Sequence, residues 1–349
     1  PCLVVESPRM KHSLIHLVVA AAFVAPALAG PIEDENLYQI PEFQRILPEE
    51  LPGLLQQAGE RPDAETRLET LEAIRRLKIA SLADTVRALL NDKRDVVQAS
   101  AIRAAHTLQL TDTADRIAAI VRNTTSKSPA ERDLIVTGDH ALAAFQYAAM
   151  TDDWLARMAD PKQTPALRAA AARALGRTHA ENMPQHVLDQ LIEHSATNEP
   201  PTLRFAAAKA MHRDPRVQST TLVRLSGTMI DRLVGIEMAR PNPDPPVVAA
   251  LQTNARYTEP AVQAAALRHL ISVGPAAATL DLLRAVVSSP DPTVRRLAVE
   301  GAAMHPKPAA VEMVFAQLND AHPQVRAVGT QTLIKLADDQ TLDPLIRTQ

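Results

Sequence analysis

Cysteine is almost absent from these 349 residues, with Cys2 the single example. A chain relieved of its first residues has none. That excludes a disulfide framework, a thiolate metal site and a cysteine nucleophile. Aromatic residues are scarce at 3%, so Ala, Leu, Val and Ile must build the core. No stretch alternates apolar and polar residues with a period of two, which leaves no sheet to predict. Charge of one sign is lacking too: 37 Lys and Arg stand against 40 Asp and Glu, a formal −3. Such a balance gives no general attraction to nucleic acid or an anionic membrane. There is no Gly-x-Ser-x-Gly elbow, no phosphate-binding glycine loop and no Gly-x-Gly-x-x-Gly fingerprint.

What is present is a repeated phrase. Asp291-Pro292-Thr293-Val294-Arg295-Arg296-Leu297-Ala298 returns as His322-Pro323-Gln324-Val325-Arg326-Ala327-Val328-Gly329. The frame also fits the residues around Gln98, Arg168, Arg204 and Gln263. Taking the Arg or Gln after the apolar residue as an anchor, the series is Arg67, Gln98, Arg132, Arg168, Arg204, Arg232, Gln263, Arg295 and Arg326. Steps of 28 to 36 residues give about nine repeats. Such a period marks a stacked array in which no single unit buries its own apolar face.

Each repeat reads as two helices. Leu280, Leu283, Val286 and Val287 form one helical stripe. Ser288-Ser289-Pro290-Asp291-Pro292 breaks it, since proline suits a helix start but not its interior. Val294, Ala298, Gly301 and Ala302 form the stripe of the second helix. The 27 prolines mostly punctuate helices in this way. Two repeats depart from the plan. One is interrupted at Thr137-Gly138-Asp139, and the other is flanked by Gly235 and the run Pro241 to Pro246. These are either drift in a solenoid or a change of curvature or insertion that touches a partner.

The N-terminus reads as an address. Met10-Lys11-His12 is a basic start, residues 14–28 are apolar, and Ala27-Leu28-Ala29 supplies small residues for cleavage before Gly30. Pro26 and the shortness of the span count against a retained anchor, as a spanning helix needs about 20 apolar residues. Residues 1–29 are therefore expected to be a signal peptide, with 1–9 upstream of a plausible initiator Met10. Residues 30–47, with Tyr38, Ile40 and Phe43, should cap an array over 48–338. Residues 339–349 read as a C-terminal cap or a truncated repeat. The implied location is a bacterial periplasm or the exterior, with no stable membrane span after cleavage.

Chemistry is thinly represented. Among the histidines beyond Gly30, none are paired at i and i+4 as in many metal-binding helices. His179, His186 and His194 would have to converge across two turns, and solvated histidines on helix ends fit better. No metal, cofactor or catalytic residue is expected. Trp154 reads as a packed residue of a first helix rather than a stacking platform. Asp152-Asp153 suits a helix N-terminus.

One pattern points to binding. Counted from each anchor, apolar residues fall at +3 and +7, so +5 and +8 face away from the core at 100° per residue. Position +5 holds Arg103, Arg173, Lys209 and Arg268; +8 holds His106, His140, His212 and Arg240. Glu72, Glu237 and Glu300 also occupy +5. An acidic molecule can thus carry a basic stripe that focuses field on an anionic partner. The plainer account is that exposed helix positions favour Arg and Lys.

The Asp-Pro-x-Val-Arg-x-x-Ala frame and a unit near 32 residues resemble HEAT repeats, of the short kind associated with phycobilisome lyases. The resemblance covers roughly 48–338 and implies an all-α, right-handed α-solenoid of about nine two-helix repeats. It further implies a concave side lined by second helices and a polar ladder between repeats, for which Arg295 with Asp291 fits best. The function expected is a non-catalytic, exported protein-interaction scaffold. It would bind a protein or peptide with an acidic patch through Arg103, His106, Arg173, Lys209, His212, Arg240 and Arg268, and not nucleic acid. Weak self-association through the solenoid ends is also expected. The alternative is a lyase-like HEAT-repeat enzyme or accessory factor acting on a cofactor or chromophore.

Overall fold

The computed structural model describes residues 51–305 and 308–337. The expected signal segment, N-terminal cap and C-terminal cap lie outside the described residues. Eighteen α-helices and no strand occur among the described residues. They form nine pairs, and the chain is an α-solenoid of helical repeats. The first helices are α1 (Leu51–Gly59), α3 (Ala83–Leu89), α5 (Ala114–Asn123), α7 (Thr151–Ala159), α9 (Gln185–His194), α11 (Gln218–Leu225), α13 (Pro245–Asn254), α15 (Leu280–Val286) and α17 (Pro308–Ala316). The second helices are α2 (Ala64–Leu77), α4 (Asp95–Thr107), α6 (Pro129–Ala144), α8 (Pro165–Thr178), α10 (Pro201–Met211), α12 (Met229–Met238), α14 (Pro260–Val273), α16 (Pro292–Ala302) and α18 (Pro323–Ala337). Contacts divide these into an N-terminal unit ending at His179 and a C-terminal unit starting at Ala180.

All nine anchors occupy the fourth position of a second helix. The reason is the start signal. Proline opens α6, α8, α10, α14, α16 and α18, where its missing N–H is not needed. Asp63, Ser128, Thr164, Thr228 and Asp291 cap their helices by accepting backbone N–H bonds.

Within the N-terminal unit, α2, α4, α6 and α8 stack in sequence, each backed by its own first helix. The C-terminal unit repeats this with α10, α12, α14, α16 and α18. Small residues allow the approach: Ala101, Ala104 and Ala105 of α4, and Ala171 and Ala172 of α8, are fully buried. Between them sit Ile74, Ile102, Leu134, Leu142 and Leu167. In the C-terminal unit Leu251, Leu267, Leu270, Leu283, Val294 and Val314 belong to one continuous core. Each such side chain contributes about 1.5–3 kcal/mol on burial.

The expected interruption at Thr137-Gly138-Asp139 is absent, because α6 runs unbroken for 16 residues. Gly138 is there for space: a Cβ would lie 2.2 Å from Val121 Cγ2 of α5. Gly235 plays the same part, since its Cβ would meet Leu225 N at 2.9 Å on α11. The proline run simply ends by opening α13.

The polar ladder also differs from expectation. Arg295 pairs with Asp320 of the next repeat, at 2.7 and 2.9 Å, not with Asp291. Asp291 is occupied in capping α16. The same forward link joins Arg67 to Asp92 at 2.7 Å, and Arg204 to Asp231. Arg232 reaches Asn254 at 2.9 Å, and Gln263 accepts from Ser289 at 3.3 Å. Anchors also donate backward to loop carbonyls, as Gln98 does to Asp92 O and Arg326 to Asp320 O. The loop between paired helices is thus satisfied from both sides.

Trp154 is fully buried and donates to Asp139 at 2.8 Å, with Arg157 on the other carboxylate oxygen. Burial pushes the Asp139 carboxyl up, against the pull of Arg157 and Trp154. The tryptophan is a structural member, as the sequence suggests.

Candidate functional site

None of the nine +5 positions is buried, and of the +8 positions only Gly176 is. This arises from the stacking: each second helix turns its +3 and +7 residues inward, leaving +5 and +8 on the free side. The named cations differ in what they meet.

In the N-terminal unit, Arg103 of α4 donates to Asp133 of α6 at 2.6 Å and to Thr137 at 3.2 Å. Its charge is therefore largely matched. Arg173 of α8 is exposed and makes no hydrogen bond or ion pair among the described residues. His106 of α4 and His140 of α6 meet edge to face, ring centroids 5.1 Å apart, and Phe145 stands 6.2 Å from His106. Arg177 of α8 lies 3.4 Å from His140 Nε2. Burial, then His140 and Arg177, hold His106 below the ordinary imidazole range; burial and Arg177 do the same to His140.

In the C-terminal unit, Lys209 of α10 lies 3.5 Å from Glu237 of α12. Arg268 of α14 is exposed and, like Arg173, unpaired among the described residues. His212 caps α10, its ring 2.6 Å from Lys209 O. Arg240 is half-buried, and its carbonyl lies 3.1 Å from His269 Nε2. Burial lowers His269, while the Arg240 carbonyl and Glu237 oppose it.

Arg177 and His269 were not foreseen. They stand at +9 and +6, off the counted register. Arg177 was still findable, since Arg173 lies four residues earlier on the same helix face.

A groove of about 600 Å3 in the N-terminal unit opens between α5, the loop 124–128 and α7. Its arginines are matched, Arg122 with Asp153 at 2.9 Å and Arg157 with Asp139, while Lys127 at the groove is exposed. No signal in one helix announces it, because α5, the loop 124–128, α6, α7 and Gln163 together form it.

Two of the three histidines considered for zinc are otherwise engaged. His179 lies 2.9 Å from Thr151 Oγ1, His186 is exposed, and His194 lies 2.8 Å from Glu199. Asp152 and Asp153 sit in the first turn of α7. No helix among the described residues is long and apolar enough to cross a membrane.

Residues 279–348 match the family model for HEAT repeats. A Kap121p mutant crystal structure superposes with a TM-score of 0.49 at 13% identity, over 95% of this chain and 40% of that one. Human deoxyhypusine hydroxylase in complex with glycerol gives 0.32 at 14%, over 83% of this chain and 97% of that one. The chain thus spans 40% of the length of the Kap121p chain. No curated protein sequence matches. Both superpositions score below 0.5 and carry no argument. Residues 279–348 are thus similar to HEAT repeats, and helix pairs built on the same plan run from Leu51 to Ala337.

Proposed function

We propose that this chain is a non-catalytic, exported scaffold that binds a protein or peptide partner along its second helices. The observation that carries this is the pair of unmatched cations, Arg173 and Arg268. Other arginines of the second helices have a carboxylate or carbonyl partner, as Arg67, Arg204 and Arg295 do. Arg94, Arg116 and Arg213 are also exposed without a side-chain partner among the described residues, but they lie off the second helices. Leaving Arg173 and Arg268 unmatched on the second helices of a chain with a net acidic balance does nothing for folding. It does suit capture of an acidic partner, where complementary charge supplies orientation and on-rate. Arg103 and Lys209 already face Asp133 and Glu237, so their contribution is smaller. Among the described residues no arrangement favours the lyase-like alternative. The export reading is supported by residues 10–29 alone.

The test is capture from cell-envelope extract on the immobilised chain at low and high salt. A partner held at low salt and released at high salt supports the proposal, and R173E with R268E should abolish its capture without unfolding the array. Unchanged capture by that double variant defeats the stripe. Export is tested separately by fractionation and N-terminal sequencing, with a mature terminus expected at Gly30.

A further inference from the structure

Three successive second helices of the N-terminal unit, α4, α6 and α8, bring His106, His140 and Arg177 together. The biological setting of this cluster rests on the scaffold reading. Arg173 adds a fourth group one turn earlier on α8. Among the described residues no carboxylate is one of the groups acting on His106 or His140. On α2, Glu72 is bonded to Arg75, and on α3, Arg87 holds Asp84 and Asp112. On α6, Asp133 is bonded to Arg103, and Asp139 is turned inward to Arg157 and Trp154. Beside α5 and α7, Asp115 is bonded to Tyr147 and Asp153 to Arg122. The charged or titratable groups acting on His106 are His140 and Arg177, and on His140 it is Arg177.

The contact between Arg177 and His140 has a chemical consequence. A guanidinium only donates, so His140 must offer an unprotonated Nε2 and carry its hydrogen on Nδ1. The free chain therefore holds a neutral imidazole against a cation. Protonating His140 turns that hydrogen bond into a repulsion. An anion placed between the two accepts from both and removes it.

We propose that His106, His140, Arg173 and Arg177 form a binding site for a doubly charged tetrahedral oxyanion, either free or as the phosphoryl group of a partner side chain, with affinity that rises as pH falls. Binding takes up protons: the bound anion draws the imidazoles back toward protonation, and each proton taken up tightens binding by up to tenfold per pH unit. Chloride lacks the fork of oxygens that a guanidinium recognises.

Sulfate is the first probe, because it does not itself titrate between pH 5 and 8. The chain, labelled at histidine Cε1, is titrated with sulfate at pH 5.5 and 7.5, with chloride holding ionic strength constant. Saturable shifts of two imidazole signals, assigned through H106Q and H140Q, are expected, with affinity at least fivefold higher at pH 5.5. R177Q should weaken binding at least tenfold, and H140Q should flatten the pH dependence. No saturable response at pH 5.5, or full affinity in a folded R177Q, overturns the site. Inorganic phosphate and a phosphoserine peptide then identify the source. A peptide at least tenfold tighter assigns the site to a modified partner, and equal affinity assigns it to the free anion. Sulfate binding without salt-sensitive partner capture would sink the scaffold reading alone. Capture without sulfate binding would sink this site alone.

Discussion

Replacing Asp231 with Asn tests the forward link where it is most buried. Asp231 is 6% exposed and Arg204 3%. The carboxylate accepts from Arg204, from Thr228 Oγ1 at 2.6 Å and from Thr228 N at 3.1 Å. It thus joins α10 to α12 and closes the cap of α12. Burial pushes this carboxyl up, but the bonds from Thr228 and Arg204 outweigh it and hold it below the ordinary range. Breaking such a pair leaves Arg204 buried without its counter-charge, at a cost of about 3–5 kcal/mol. Loss of the cap alone would account for only about 1 kcal/mol. Since about 1.4 kcal/mol is a factor of ten, hydrogen exchange in α10 and α12 should quicken by two to nearly four orders of magnitude at pH 7. The double replacement of Arg204 by Met and Asp231 by Leu removes both charges together and should lose no more than about 2 kcal/mol, mostly the cap. A depressed carboxyl contributes stability that is whole above its unfolded value of about 3.9 and is lost as pH falls through the folded value. The difference between wild type and D231N should therefore close in acid. Quickening by less than tenfold in D231N, or a double variant as damaged as both singles added, would refute the reasoning.

Glycines give opposite signs. G138A and G235A force helices apart and should each lose about 1–3 kcal/mol in urea titrations, whereas G53A, with nothing within 4 Å of its Cβ, should gain about 0.5–1 kcal/mol. Asp320 is held low chiefly by the hydrogen bonds from Arg295, so its contribution is complete above about pH 4 and fades below it. D320N should accordingly flatten the acid limb of stability against pH. W154F strands the Asp139 oxygen that the indole satisfies and should cost about 1–3 kcal/mol by circular dichroism.

The register was legible because a helix start is a local event. Proline, a capping residue and an apolar residue three positions on suffice to place Arg168 or Arg295 at the fourth position, whatever lies elsewhere. Gly138 misled because a glycine reads as a break from its neighbours alone, while its reason is Val121 on another helix. Asp291 was mistaken for the partner of Arg295 for a like cause. Capping and pairing both call for an aspartate there, and only the fold reveals that the pair is made 25 residues later. The candidate stripe was legible as exposure but not as charge. Arg103 finds its carboxylate 30 residues away, and Lys209 finds Glu237 on the next second helix. No rule of spacing within one helix pairs such residues.

The forward link gives the array a grammar. Five anchors, Arg67, Arg204, Arg232, Gln263 and Arg295, speak to the repeat that comes after them, across 22 to 27 residues. Those joints therefore have a leading and a trailing half of the same kind. A cut from one anchor to the corresponding place in the next removes a whole word and leaves halves that still fit. A cut of one residue inside a second helix swings every later side chain by 100° and leaves none that do. Such a chain can lengthen or shorten by whole repeats without inventing a new joint, and is intolerant of any other change in length within its helices.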